Sequence, residues 1–264
     1  VQYENGKIPD MPTEARRDYG PTMATFQKLI TDWPDYRFLD GARYLLAYCK
    51  LQEGQDEEAK DILMTLIAEH PESEFIPEAW IRIGEYYFDI NDLASAQLAY
   101  AEAMKGCRIV FHTASPFSTS VKDPQRELVD PAVKGTRNVL EEASRTPSVE
   151  RVVLTSSCAA IYADATDCAR ASGGKLSEED WNTTASLDYQ PYSYSKTVAE
   201  QQAWTLAKAQ DRWDLVTINP SLVLGPAIGG RPSSESFSIM RRAGTGEFSR
   251  GAPRIGIGVV DVRE

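Results

Sequence analysis

The chain has 264 residues, a length that suits one large domain or two of ordinary size. Hydrophobic residues make up 42% and charged residues 25%, the balance of a globular protein and not of a disordered one. The net charge of −11 is unevenly placed, since residues 1–104 hold 20 acidic and 9 basic side chains while residues 105–264 are balanced. No basic patch exists to favour nucleic acid as a partner. No apolar run approaches the roughly 18–20 residues that cross a bilayer. The start, Val1-Gln2-Tyr3-Glu4-Asn5-Gly6, has no secretory signal and no Met, and reads as processed or cut from something longer. Cys49, Cys107, Cys158 and Cys168 are scattered, with only His70 and His112 beside them. They read as reduced thiols of a cytoplasmic protein with no metal site.

The first hundred residues predict helical repeats. Two stretches align at a spacing of 37, one from Asp40 to Pro71 and the next from Pro77 to Ala103. Large residues recur at i, i+3 and i+4 or i+7, giving one apolar face per helix. Small residues pair at equivalent places (Ala47 with Gly84, Ala59 with Ala96), where two helices of a hairpin must approach closely. Residues 52–56 and 89–92 supply polar turns, with Gly54 opposite Asn91. A half-repeat over 22–35 precedes the first. The run Trp80-Ile83-Gly84-Tyr87-Ala96-Tyr100-Ala103 resembles the tetratricopeptide repeat. Such repeats imply a groove for a protein or peptide partner, although the signature residues themselves are packing residues.

After Lys105 the periodicity changes. Residues 108–115 are a short apolar, β-branched run, as in a buried parallel strand. An amphipathic helix follows over 125–145, with Pro131 marking a start or kink. Residues 151–157 form a second strand. A polar segment over 164–190 leads to a helix over about 192–209, and residues 215–220 form a third strand. Strand, helix, strand, helix, strand is a partial, doubly wound parallel sheet. The expected fold class is therefore α + α/β: helical-hairpin repeats over 1–104 joined to a partial Rossmann-like domain over 105–264. The strand at 109–115 would be left as an exposed apolar edge.

Tyr192 and Lys196 are four apart on a predicted helix and share a face. A cation beside a phenol favours phenolate and lowers a pKa that starts near 10, so the tyrosine would exchange a proton with a substrate oxygen. A hydroxyl at the preceding strand end, Ser156 or Ser157, would hold that oxygen.

These residues sit within Val110-Phe111-His112-Thr113-Ala114-Ser115-Pro116, Asp130-Pro131-Ala132-Val133-Lys134-Gly135-Thr136, Arg151-Val152-Val153-Leu154-Thr155-Ser156-Ser157, Pro191-Tyr192…Ser195-Lys196-Thr197 and Asn219-Pro220…Gly225-Pro226. In this order they resemble the extended short-chain dehydrogenase/reductases, specifically the dihydroflavonol and cinnamoyl-CoA reductase group. The resemblance implies an NADP-dependent reductase of an aldehyde, ketone or CoA thioester. It implies Tyr192 as proton donor, Lys196 on the nicotinamide ribose, and Ser157 polarising the carbonyl, with Ser156 structural. It further implies Thr113, Ala114 and Ser115 along the cofactor, and Pro220, Ser221, Leu222 and Val223 as a loop on the nicotinamide. His112 is expected to be a buried packing residue.

That family places the cofactor pyrophosphate on a Gly-rich turn before the position of Lys105. Here the helical repeats stand in that place, and Gly6, Gly20, Gly41, Gly54 and Gly84 are isolated. The switch of motif and charge at one point suggests a fusion, natural or engineered. Two functions follow: a carbonyl reductase, or a repeat-based interaction scaffold whose second part does no catalysis.

Overall fold

The computed structural model describes residues 18–113, 117, 121–226, 235–251 and 258–263. The chain divides into two compact units, Val1–Lys105 and Gly106–Glu264.

The first unit is a run of antiparallel helices: α1 (Gly20–Asp32), α2 (Leu39–Gln52), α3 (Asp56–Glu69), α4 (Ile76–Asp89) and α5 (Leu93–Met104). Each packs on the next. Prolines open α1 and α4, where the missing N–H costs nothing. Asp56, Glu57 and Glu58 fill the first turn of α3, where acidic groups meet the positive end of the helix. The core is Ala47, Ala59, Leu63, Leu66, Ala79, Ile83 and Ala99. The small residues mark the close approaches. A Cβ on Gly84 would lie 2.6 Å from the Tyr100 ring. The two matched turns share one backbone solution, with Gly54 at φ 72° and Asn91 at φ 62°. Both residue types tolerate that left-handed region.

The second unit begins with β1 (Ile109–His112). One π-helical turn, Gln125–Val129, runs into α6 (Asp130–Arg145), so Pro131 stands at a helix start as expected. Then come β2 (Arg151–Thr155), α7 (Pro191–Lys208), β3 (Asp214–Ile218), β4 (Leu222–Leu224), α8 (Glu235–Gly244) and β5 (Val259–Asp261). The sheet has the order β1-β2-β3, all parallel, with Val110 opposite Val152 and Val152 opposite Leu215. Parallel neighbours in register share a face. On one face Val152, Leu154 and Leu215 pack with Leu140 and Ala143 of α6 and Ala203 of α7 around the buried Trp213. The Arg212 guanidinium donates to the carbonyls of Ser144 (2.7 Å) and Thr146 (2.8 Å), closing the C-terminal end of α6.

Among the described residues the opposite face is largely exposed. It carries Ile109 and Phe111 of β1, 49% and 70% exposed, and Val216 and Ile218 of β3, 37% and 48% exposed. Helices α6 and α7 thus form one layer of the expected doubly wound arrangement, and β1 is an edge strand of its sheet among the described residues.

Residues 222–224 correct an expectation. They are not loop but strand, pairing in parallel with β5 as a separate two-stranded sheet. Three consecutive apolar residues, Leu222-Val223-Leu224, find a β-branched partner in Val259-Val260. Among the described residues no helix is long and apolar enough to cross a membrane.

Candidate active site

The C-terminal ends of β1, β2 and β3 and the first turns of α7 converge, as expected at the crevice of an open parallel sheet. Helix α7 is entered through Gln190, a left-handed residue (φ 52°) directly before Pro191. Its side chain offsets the strained backbone: the amide donates to Asp164 (3.2 Å) and its oxygen accepts from Ser193 (3.2 Å). The segment before α7 is braced by Asp167, which accepts from the Ala163 and Asp164 amides and from Thr184.

Tyr192, Lys196 and Glu200 follow at intervals of four and share one face of α7. Tyr192 is half-buried, its ring edge-on to Phe117 at 4.5 Å. Lys196 is only 7% exposed, its ammonium 6.0 Å from the Tyr192 ring centre. Ser157 is buried just past β2. Its hydroxyl accepts from the Ala159 amide at 3.1 Å, capping a single 3₁₀ turn, Cys158–Ala160. Cys158 in turn donates its N–H to the Pro220 carbonyl (3.0 Å), bringing Pro220 to this corner.

The electrostatics differ from the expectation in one respect. The Tyr192 phenol is raised above its ordinary value, chiefly by burial, although the Ser157 hydroxyl pulls it down. Lys196 does not offset the burial; its ammonium lies 6.0 Å from the ring centre. Burial also lowers Lys196 to about 8, with Glu200 drawing it back up. His112, at the end of β1, is pushed down to about 4 by burial and by the Lys196 charge. His112 is buried as expected, and its neighbour is the site lysine.

The remaining predicted residues divide. Thr113 is exposed, and Ala114 and Ser115 lie outside the described residues. Ser221 gives its hydroxyl to the Gly258 carbonyl, and Leu222 and Val223 belong to β4. Ser156 is buried with a hydroxyl that has no hydrogen-bond partner among the described residues, while its N–H pairs with the Ile218 carbonyl at 2.8 Å. Three neighbours escaped the sequence reading: Phe117, Glu200 and Asn219 in its side-chain role. Glu200 was visible in principle, as the next residue in the Tyr192–Lys196 spacing.

A parallel sheet with Ser157, Tyr192 and Lys196 gathered near its carboxyl end belongs to the Rossmann-like class of folds. The model for the NAD dependent epimerase/dehydratase family matches residues 72–256, and this chain belongs to that family. A tetratricopeptide repeat model matches residues 42–73. Cinnamoyl-CoA reductase CAD2 of Medicago truncatula is 46% identical over 139 residues, covering 49% of this chain and 40% of the relative. An anthocyanidin reductase of Vitis vinifera is 35% identical over 137 residues, 50% of this chain and 39% of the relative. The chain thus spans about two-fifths of the length of these relatives. Among solved structures, yeast methylglyoxal/isovaleraldehyde reductase Gre2 complexed with NADPH aligns with a TM-score of 0.51 at 24% identity, over 76% of this chain and 67% of that one. At that identity the likeness establishes the fold.

Proposed function

We propose that the Gly106–Glu264 unit carries the reacting end of an NADP(H)-dependent reductase of a carbonyl compound, an aldehyde, ketone or CoA thioester, with Ser157, Tyr192 and Lys196 as its catalytic residues. The supporting observation is a largely buried lysine whose ammonium stands 6.0 Å from the ring centre of a half-buried tyrosine, itself influenced by the Ser157 hydroxyl. A buried ammonium needs acceptors, and the hydroxyls of a nicotinamide ribose are such acceptors. The residues present fit the nicotinamide end of a dinucleotide, which Lys196, Tyr192 and Pro220 would hold. At the phosphate end the described residues offer no Gly-rich turn, and no step is assigned there.

The cofactor supplies a hydride to the carbonyl carbon. Ser157 donates a hydrogen bond to the carbonyl oxygen, which polarises it. Tyr192 gives its proton to that oxygen as negative charge develops. Its raised pKa keeps the phenol protonated at neutral pH, the state a reduction requires. Lys196, charged below about pH 8, stabilises the tyrosinate left behind. The named activities of the relatives, reductases of cinnamoyl-CoA and of anthocyanidin, support this substrate class.

The full chain titrated with NADPH should show enhanced nicotinamide fluorescence and a raised melting temperature. A native-state ligand at about 100-fold over its Kd adds roughly 2.7 kcal/mol. Tyr192→Phe should keep that shift and lose about 100-fold or more in aldehyde reduction. A chain that neither shifts nor fluoresces sinks the proposal.

A second reading assigns residues 1–104 a protein or peptide partner. The repeat match and the exposed Leu45 and Tyr48, three apart on α2, favour it. The unit's acidity makes a basic peptide the probe, and binding to the full chain should weaken as salt is raised.

A further inference from the structure

We propose that Glu200 is a positioning residue of this site, acting on two members of the catalytic set at once. Through the Asn219 amide it holds the Ser157 carbonyl, and through its charge it faces the buried Lys196 ammonium. The inference deepens the reductase reading and takes from it the roles of Ser157 and Lys196.

Glu200 is 5% exposed, a depth at which a carboxylate is costly unless its oxygens are paired. Both are paired. One accepts from the Trp204 indole N–H at 3.3 Å, and the other from the Asn219 amide nitrogen at 2.9 Å. The same Asn219 nitrogen donates to the Ser157 carbonyl at 3.1 Å, so both its hydrogens are committed. The carboxylate fixes which way this amide points, because the flipped amide would set oxygen against oxygen. A single hydrogen-bonded chain therefore joins the helix that bears Tyr192 to the corner that bears Ser157. It crosses 62 residues of sequence at one link and 19 at the other.

A neutral glutamine would tie the three elements together almost as well. The charge needs its own reason, and Lys196 supplies one. Lys196 lies one turn before Glu200 on the same face and is likewise largely buried. Of the groups facing it, His112 from β1 is held neutral, and the Tyr192 phenol is protonated. Cys158, in the turn packed against α7, acts on Tyr192. Glu200 is the negative charge that favours the Lys196 ammonium. Glu200 thus holds the geometry through its two hydrogen bonds and acts on Lys196, one turn away, through its charge alone.

The test is a pH titration of the full chain labelled with [ε-13C]lysine, the Lys196 resonance assigned by its loss in Lys196→Arg. It needs neither cofactor nor turnover, so it decides the role of Glu200 even where the reductase reading fails. In Glu200→Gln the Lys196 midpoint should fall by about one pH unit or more, the effect of losing a close opposite charge. Glu200→Asp should recover part of that shift. A folded Glu200→Gln chain with an unmoved midpoint overturns the proposal. Should that variant fail to fold by circular dichroism, an unmoved midpoint in Glu200→Asp does the same. Asn219→Ala reads the other arm. The Ala159 and Ala160 amides, bonded to the Ser157 hydroxyl and carbonyl, should exchange about tenfold faster while the Lys196 midpoint holds. Unchanged exchange there removes Ser157 from the chain of influence. With an active chain, the alkaline limb of kcat should move with the titration midpoint in Glu200→Gln, whereas loss of packing alone would lower kcat at every pH alike.

Discussion

His112 shows how one side chain links the site to stability. Its imidazole is neutral in the fold down to about pH 4, whereas in the unfolded chain it takes a proton near 6.5. Between those values the unfolded state binds more protons, so stability falls as pH drops from 6.5 towards 4. The contribution reaches roughly 3 kcal/mol at most, at about 1.36 kcal/mol per pH unit. Urea unfolding at pH 7 and at pH 4.5 should show His112→Asn losing less stability across that interval than the parent chain. Equal losses would remove His112 as the cause. At this scale the sequence is informative only where spacing along one element suffices. Tyr192 and Lys196 could be paired from a four-residue interval on a predicted helix. The Asn219 bridge could not, because its acceptors belong to two other elements. The raised phenol of Tyr192 also depends on burial, which no local motif reports.

The same substitution should have opposite effects in two helices. In α4, Gly84→Ala drives a Cβ to 2.6 Å from the Tyr100 ring of α5. Overpacking of this kind costs about 1–3 kcal/mol. In α6, a Cβ on Gly135 meets nothing within 4 Å, and its backbone is ordinary helix. Gly135→Ala should therefore stabilise by about 0.5–1 kcal/mol through lost unfolded-state freedom. Thermal melts of the two variants check this, and shifts of the same sign would show that helix spacing is not what α4 selects for. Here the sequence was more legible. The 37-residue alignment set Gly84 opposite Ala47 and Asn91 opposite Gly54, and the helices have those small residues and those left-handed turns in place. Strand β4 was hidden for a plain reason: three residues carry too little periodicity, and their partner β5 lies beyond an intervening helix.

For the whole molecule, charge and apolar surface are distributed to different places. The excess of acid lies within residues 1–104, while the second unit bears a largely exposed sheet face of Ile109, Phe111, Val216 and Ile218. The charge step and the change of period both fall near Lys105, where the two units divide. The exposed face was not legible in the sequence, since it follows from α6 and α7 both lying on the other side of the sheet. Colloidal behaviour follows from the pair of features. A net charge of −11 keeps molecules apart in dilute buffer, where the screening length is about 30 Å at 0.01 M salt. At 1 M it shrinks to about 3 Å, and short-range attraction between apolar faces is then unopposed. Static light scattering should show the osmotic second virial coefficient turning from positive to negative as sodium chloride is added. Phe111→Lys, at the most exposed point of that face, should move the crossing to higher salt.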